Sequence, residues 1–417
     1  MIRRRHVFYL GGYDPIGVRA QYTRLRREVG VFARTWQVSA AIAEHDEAWS
    51  IWTRGPDWQV ETRYEPLLWD DIVLADMRRG PVRRLWSGAG VLLNFVANGT
   101  AGRYFARAWR AGLYLLYPYL YVAGFALVGW ACGAWLAGYV EQTIASLLVE
   151  ATVAALVFAF LMRWQGRNRR IQHALDNWIF GLAYLRGRQH DLEQRLDEFA
   201  ERLVACARSG KADEILVVGH SFGAALAVEV LARALARDSA LCRRGSSIGL
   251  LTVGSTIPKF TLHPAADALR MRVARVVAEP SIFWADVQAW LDVISFYGTD
   301  PVTLRPIEAD RVEARPLIRT VSLGDLFDVR TLWRRPLRTL WLYPHRLMRL
   351  HYQLVLANKR HAAYDYFMLA CGPLGFARAL SAPNGVLDLM APDGAARAAK
   401  RPAAEPRAET LRALLDA

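Results

Sequence analysis

Two long apolar stretches dominate the hydrophobic pattern. No charged side chain occurs from Ala111 to Val140, and from Thr143 to Met162 only Glu150 interrupts the run. About 20 helical residues cover a ~30 Å hydrocarbon core, so each stretch is long enough to cross a bilayer. The first helix is expected to start near Pro118, because proline is tolerated in a first turn, and to end near Tyr139. Tyr117, Tyr119 and Tyr121 at one end, with Trp135 and Tyr139 at the other, stand where aromatic belts form. Gly129 and Gly133 make a GxxxG pair suited to close helix contact. Glu150 should face the partner helix or the outer interface, where its charge costs less.

Outside this hairpin the periods change. His6 to Leu10 reads as a short strand before the turn Gly11-Gly12-Tyr13-Asp14-Pro15, and a helix should follow. Apolar and polar residues alternate from Ala48 to Arg54 and from Trp58 to Tyr64 around Gly55-Pro56-Asp57, the pattern of a β-hairpin. Leu192, Leu196, Phe199 and Leu203 recur at helical spacing, and that helix should stop near Ser209-Gly210. Strands are expected at Ile215–Val218, Gly249–Val253, Val293–Tyr297 and Ile318–Leu323, separated by helical text. The fold class is therefore α/β with a largely parallel sheet. The chain divides into residues 1–110, a transmembrane hairpin at 111–162, a main soluble part at 163–390 and a tail at 391–417. The Ala-, Pro-, Arg- and Glu-rich text of the tail reads as disordered.

Charge sharpens the membrane reading. Arg103, Arg107 and Arg110 precede the first span; Arg163, Arg167, Arg169 and Arg170 follow the second; the connection between them holds Glu141 and no basic residue. The positive-inside rule puts both flanks, and hence both termini, in the cytoplasm. No signal peptide is expected, since the apolar run after Arg3-Arg4-Arg5 stops at Gly11. The formal net charge is +14, and lysine contributes only Lys211, Lys259, Lys359 and Lys400. That arginine bias suits a GC-rich bacterial source, so the inner membrane is the expected location. Because the charge lies beside the apolar spans, nucleic acid is not the expected partner. Four scattered cysteines without a CxxC pair argue against a disulfide framework or a zinc cluster.

The strongest chemical signal is Gly219-His220-Ser221-Phe222-Gly223, which follows the apolar run Ile215–Val218 and opens the helical text Ala224-Ala225-Leu226-Ala227-Val228. A serine forced into a sharp strand-to-helix turn needs neighbours without side chains two positions away on either side. Its hydroxyl then stands at a helix N-terminus, where backbone N–H groups can stabilise an oxyanion. No P-loop, GxGxxG, HExxH or EF-hand pattern is present, so neither a cofactor nor a catalytic metal is expected.

With this elbow the sequence resembles the α/β-hydrolase superfamily, in particular its lipase- and esterase-like branches. The resemblance implies a hydrolase-like, mostly parallel sheet interrupted by the hairpin, and a nucleophile, acid and base in that chain order. Ser221 takes the first role. Asp300, in Gly298-Thr299-Asp300-Pro301-Val302 after the strand expected at 293–297, takes the second; Asp286 and Asp292 fall before or at the start of that strand and fit less well. His361, in a pattern resembling HxxY, takes the third, with His351 as rival and His345 behind it. The oxyanion donors would be the N–H of Phe222 and that of Gly12 or Tyr13. One departure is plain: about 200 residues and the hairpin separate the Gly11-Gly12 loop from the elbow.

The resemblance implies a membrane-anchored serine hydrolase acting on an ester or thioester, expected to be lipidic, through an acyl-enzyme. Two alternatives stay open: an acyltransferase using the same triad, and an inactive hydrolase-fold protein that binds a partner. Oligomeric state is left open. From Arg330 to Arg360 eight basic residues and no Asp or Glu are interleaved with Trp333, Trp341 and Tyr343. That segment reads as an interfacial lid leading to His361.

Overall fold

The protein is described here from a computed structural model, which describes residues 1–45, 48–307, 315–327 and 344–397. Its centre is one eight-stranded sheet of β1 (Arg4–Leu10), β2 (Ser39–His45), β3 (Ala48–Arg54), β4 (Gln59–Pro66), β5 (Glu214–His220), β6 (Ser247–Val253), β7 (Ile282–Ala289) and β8 (Leu317–Val321). Their order is β2-β3-β4-β1-β5-β6-β7-β8. The β2–β3 and β3–β4 pairs are antiparallel, and every pair from β4 to β8 is parallel.

Side-chain alternation along the central strands builds two cores. Val7 and Tyr9 of β1 and Leu216 and Val218 of β5 point to one face, covered by α1 (Val18–Trp36) and by the short helices Tyr366–Cys371 and Phe376–Ser381. Phe8, Leu10, Ile215 and Val217 point to the other, covered by α2 (Asp70–Met77), by α6 (Ile171–Leu185), α7 (His190–Ser209) and α8 (Phe222–Arg237). Both faces of β5 are thus buried, which is why it reads as a continuous apolar run.

A separate helical layer adjoins the second face. It comprises α3 (Pro81–Ala97), α4 (Thr100–Ala137) and α5 (Thr143–Asn168). Both α4 and α5 are long and apolar enough to cross a membrane; about a fifth of the apolar stretch of α4, and none of that of α5, is buried inside the protein. Leu127, Trp130, Trp135, Leu148, Leu156 and Phe160 are all exposed. The helix does not start at Pro118: it runs from Thr100 through that proline and breaks instead at Ala108, where φ is −147° and ψ is 77°. Gly129 and Gly133 lie directly against α5. A Cβ on Gly129 would meet the Ala154 carbonyl oxygen at 2.6 Å, and one on Gly133 would strike that of Glu150.

Several strand expectations hold: His6–Leu10, the 48–64 hairpin, Ile215–Val218 and Gly249–Val253 fall on strands, and the one expected at Ile318–Leu323 falls on β8 as far as Val321, Leu323 opening a short helix instead. Val293–Tyr297 does not, because the strand there is β7, which ends at Ala289. The apolar residues after it are buried without a ladder: the Ile294 N–H bonds Asp292 Oδ1 at 3.1 Å, and Phe296 packs edge-on to Tyr104 at 5.1 Å. The first tail residues also have a place. Trp58 Nε1 donates to the Gly394 carbonyl at 2.7 Å, and the Ala396 N–H donates to Asp57 at 3.0 Å. Residues 328–343, the greater part of the basic segment, and the tail beyond 397 lie outside the described residues.

Candidate active site

Ser221 sits between the end of β5 and the first residue of α8 with φ 59° and ψ −123°. A non-glycine residue with positive φ costs about 1–3 kcal/mol, so the surroundings must impose it. They do so through backbone bonds: the Ser221 N–H donates to the Val253 carbonyl at 3.0 Å, and its carbonyl accepts from Ala224 N–H at 3.0 Å. The elbow's glycines are sterically required. A Cβ on Gly219 would lie 2.5 Å from Ala224 Cα, and one on Gly223 would lie 2.6 Å from the Gly11 carbonyl oxygen and strike that of Leu10.

These contacts bring the loop after β1 onto the elbow. A Cβ on Gly12 would lie 2.9 Å from Ser221 Cβ and 3.2 Å from its Oγ. The Gly11-Gly12-Tyr13 turn therefore adjoins Ser221, next to the N-terminus of α8, whose first N–H groups lack intrahelical acceptors. Tyr13 is held by Phe180 at 5.2 Å and Phe222 at 6.4 Å between ring centres. Gly12, Tyr13 and Phe222 are thus gathered at one place.

A buried carboxylate–imidazole pair stands beside them. The His351 Nδ1 donates to Asp292 Oδ2 at 2.7 Å, and Asp292 Oδ1 accepts from the Ile294 N–H at 3.1 Å. Both side chains are almost completely withdrawn from solvent. Gly254, the residue after the one that binds the Ser221 N–H, touches both: a Cβ there would lie 2.9 Å from Asp292 Oδ2 and 3.0 Å from His351 Cε1. Because Nδ1 carries the proton given to the carboxylate, Nε2 presents a lone pair. It is buried and has no hydrogen-bond partner among the described residues. Such an orphaned nitrogen is costly to bury unless something uses it.

His220 packs its ring on that of His351 at 4.4 Å, and its Nε2 donates to the His351 carbonyl at 3.1 Å. Burial, followed by the neighbouring His351, pushes its pKa well below the usual histidine range. A neutral His220 supports the His351 backbone without competing for the proton.

The acid and base expected from sequence are engaged elsewhere. Asp300 Oδ1 accepts from the N–H groups of Val302 and Thr303 at 2.7 and 3.1 Å, capping its own turn. The His361 ring packs against Trp36 at 4.4 Å, and its Nε2 donates to the Thr35 carbonyl at 2.7 Å, at the end of α1. Placing the strand at 293–297 moved the expected acid from Asp292 to Asp300. Once β7 is recognised at Ile282–Ala289, Asp292 lies just beyond a strand's carboxyl end, where open α/β sheets build their sites. Asp286 faces away, bonded to Thr252 at 2.5 Å and Gln288 at 2.8 Å, and burial raises its pKa to about 6.

Next to the pair, a narrow crevice runs between the near ends of α4 and α5 and the helix Pro344–Gln353 that carries His351. Tyr114, Tyr117, Val293, Ile294, Leu347 and Met348 line it, with Arg169, Arg170 and His173 at its polar edge. Burial lowers the His173 pKa to about 4, so this side chain is neutral at pH 7.

No family model, no curated protein and no solved structure matches the chain.

Proposed function

We propose that this protein is a membrane-anchored serine hydrolase of α/β-hydrolase type, cleaving a carboxylic ester or thioester. The observation that carries the reading is the placement of the buried Asp292–His351 pair against Gly254, the neighbour of Val253, whose carbonyl holds the Ser221 N–H of the strained elbow. Ser221 Oγ attacks the carbonyl carbon while His351 Nε2 takes its proton. The leaving alcohol or thiol departs with that proton, and water then repeats the sequence on the acyl-enzyme. Asp292 fixes the tautomer and stabilises the imidazolium. The N–H groups of Phe222 and of Gly12 or Tyr13 receive the oxyanion.

The lipidic character of the substrate is supported by the apolar lining of this small crevice at the foot of the membrane helices, which includes Leu347 and Met348, one turn before His351. An acyl chain withdrawn from the bilayer would keep apolar neighbours along that route. The arginines flanking the two helices support a two-pass bacterial inner-membrane protein with its sheet domain in the cytoplasm.

The test is labelling of the detergent-solubilised protein with a fluorophosphonate, which reacts with activated serines. Labelling of the wild type and its loss in Ser221→Ala are expected, together with turnover of p-nitrophenyl acyl esters. Absence of both in a folded wild type would overturn the hydrolase reading in favour of a non-catalytic binding protein.

A further inference from the structure

Helix α3 has two apolar faces, and only one is covered by the described residues. On the inner face, Arg84 Nε reaches both carboxylate oxygens of buried Asp176 at 2.8 and 2.9 Å. A Cβ on Gly88 would lie 3.1 Å from Leu175 Cδ2, and Phe95 packs edge-on to Trp178 and Tyr104, each at 5.9 Å. These anchors fix the rotation of the helix. The opposite face is apolar as well: Val82, Trp86, Leu93 and Val96 are 68%, 76%, 71% and 61% exposed. At 3.6 residues per turn they fall within roughly 80° of arc, directly opposite Arg84, Gly88, Val91 and Phe95. The helix cannot roll to hide this stripe without breaking the Arg84–Asp176 pair.

The position of α3 names what covers the stripe. The Tyr119 hydroxyl donates to the Gly88 carbonyl at 3.0 Å, and Tyr119 belongs to the apolar run of α4. The middle of α3 is therefore held at the level where the membrane-crossing part of α4 begins. Phe105 and Trp109 of α4 are likewise exposed, and exposed Arg78 and Arg83 flank the stripe. Tryptophan and aliphatic side chains beside arginines, continuous with a membrane-crossing helix, match the boundary between anionic headgroups and acyl chains.

We propose that α3 is an interfacial helix, its Val82–Trp86–Leu93–Val96 face lying in the headgroup layer of the bilayer that α4 and α5 cross. This is independent of the catalytic reading. The soluble domain is then held against the bilayer by α3 as well as by the hairpin.

The test uses the full chain in vesicles of phosphatidylcholine and phosphatidylglycerol, with Cys132, Cys206, Cys242 and Cys371 replaced by alanine. An NBD fluorophore is placed in turn at Trp86→Cys, at Leu93→Cys and, as an exposed control, at Lys211→Cys. Lipids brominated near the headgroup should remove about half of the emission at positions 86 and 93, with a blue shift, and almost none at 211. Emission at 86 and 93 as unquenched as at 211 would overturn the proposal. So would shielding that vanishes on dilution of protein in lipid, which would assign the face to a second copy. If the cysteine-free chain does not fold, a headgroup-borne diazirine lipid photolabels the native chain: adducts within 81–97 support the proposal, and their absence beside labelled α4 and α5 refutes it.

Discussion

Asp14 and Tyr352 are hydrogen-bonded, the tyrosine hydroxyl donating to Asp14 Oδ2 at 2.9 Å while Asp14 Oδ1 pairs with Arg170 at 2.8 Å. Asp14 belongs to the loop that presses on Ser221, Tyr352 follows His351, and Arg170 sits at the foot of α5. One carboxylate thus ties the loop, the helix carrying His351 and the end of the α4–α5 hairpin together. A hydrogen bond to a charged group contributes about 1.5–3 kcal/mol. Asp14→Asn and Tyr352→Phe should each lower kcat on acyl esters about tenfold, with little change in KM. Steady-state kinetics measures this, and an unchanged kcat would leave the link merely structural.

The two histidines and two aspartates separate by mutation. Ser221→Ala and His351→Ala should each lower turnover by about 10³-fold or more, and Asp292→Asn by somewhat less, because members of such a unit act together. His361→Ala and Asp300→Asn should keep turnover within a few-fold while losing about 1 kcal/mol of stability each from the cap at Asp300 and the bond to Thr35. Ester hydrolysis paired with thermal melts distinguishes them. Loss of turnover in His361→Ala at unchanged stability would return the base to its sequence-based position.

Filling the crevice should change chain-length preference without touching the chemistry. Ile294→Trp and Leu347→Trp place bulk where an acyl chain would run. Hydrolysis of long-chain esters should fall about tenfold or more, while acetyl and butyryl esters are cleaved as before. An equal loss on both would show that the tryptophans disturb Asp292 and His351 rather than block a chain.

Gly12→Ala adds a methyl group 2.9 Å from Ser221 Cβ. No real Cβ tolerates that approach to another carbon, so the loop or the elbow must shift, at about 1–3 kcal/mol. Fluorophosphonate labelling should slow far more than the melting temperature falls, because oxyanion donors misplaced by even ~1 Å lose their effect.

Buried Lys259 donates to Asn177 Oδ1 at 2.7 Å and lies 4.3 Å above the Trp178 ring. Burial lowers its pKa from 10.5 to about 7. Between those values the unfolded chain binds more protons than the folded one, so the contribution of this residue to stability rises with pH across that window and is least favourable below 7. Thermal unfolding followed from pH 7 to 10 should show this slope in the wild type and a flatter one in Lys259→Met.

Some features follow from the sequence alone because local chemistry leaves no alternative. Charge-free runs longer than a bilayer is thick, with GxxxG glycines, made the α4–α5 pair legible. Glycines two positions either side of Ser221 made the elbow legible, since no other residue clears Ala224 and the Gly11 carbonyl. Alternation along 48–64 marked the hairpin of β3 and β4. Tertiary structure decided the rest. The partners of Ser221 come from separate loops, and many aspartates and histidines have suitable local text. Only the position of β7 puts Asp292 at a strand end, and only the helix Pro344–Gln353 carries His351 onto it. Apolar residues at 293–297 looked like a strand because burial and strand formation select the same side chains; packing against α4 buried them without a ladder. In α3, two apolar faces are indistinguishable by period. The Arg84–Asp176 pair determines which one is covered by protein, because a buried charge must meet its counter-charge and the helix turns to allow it.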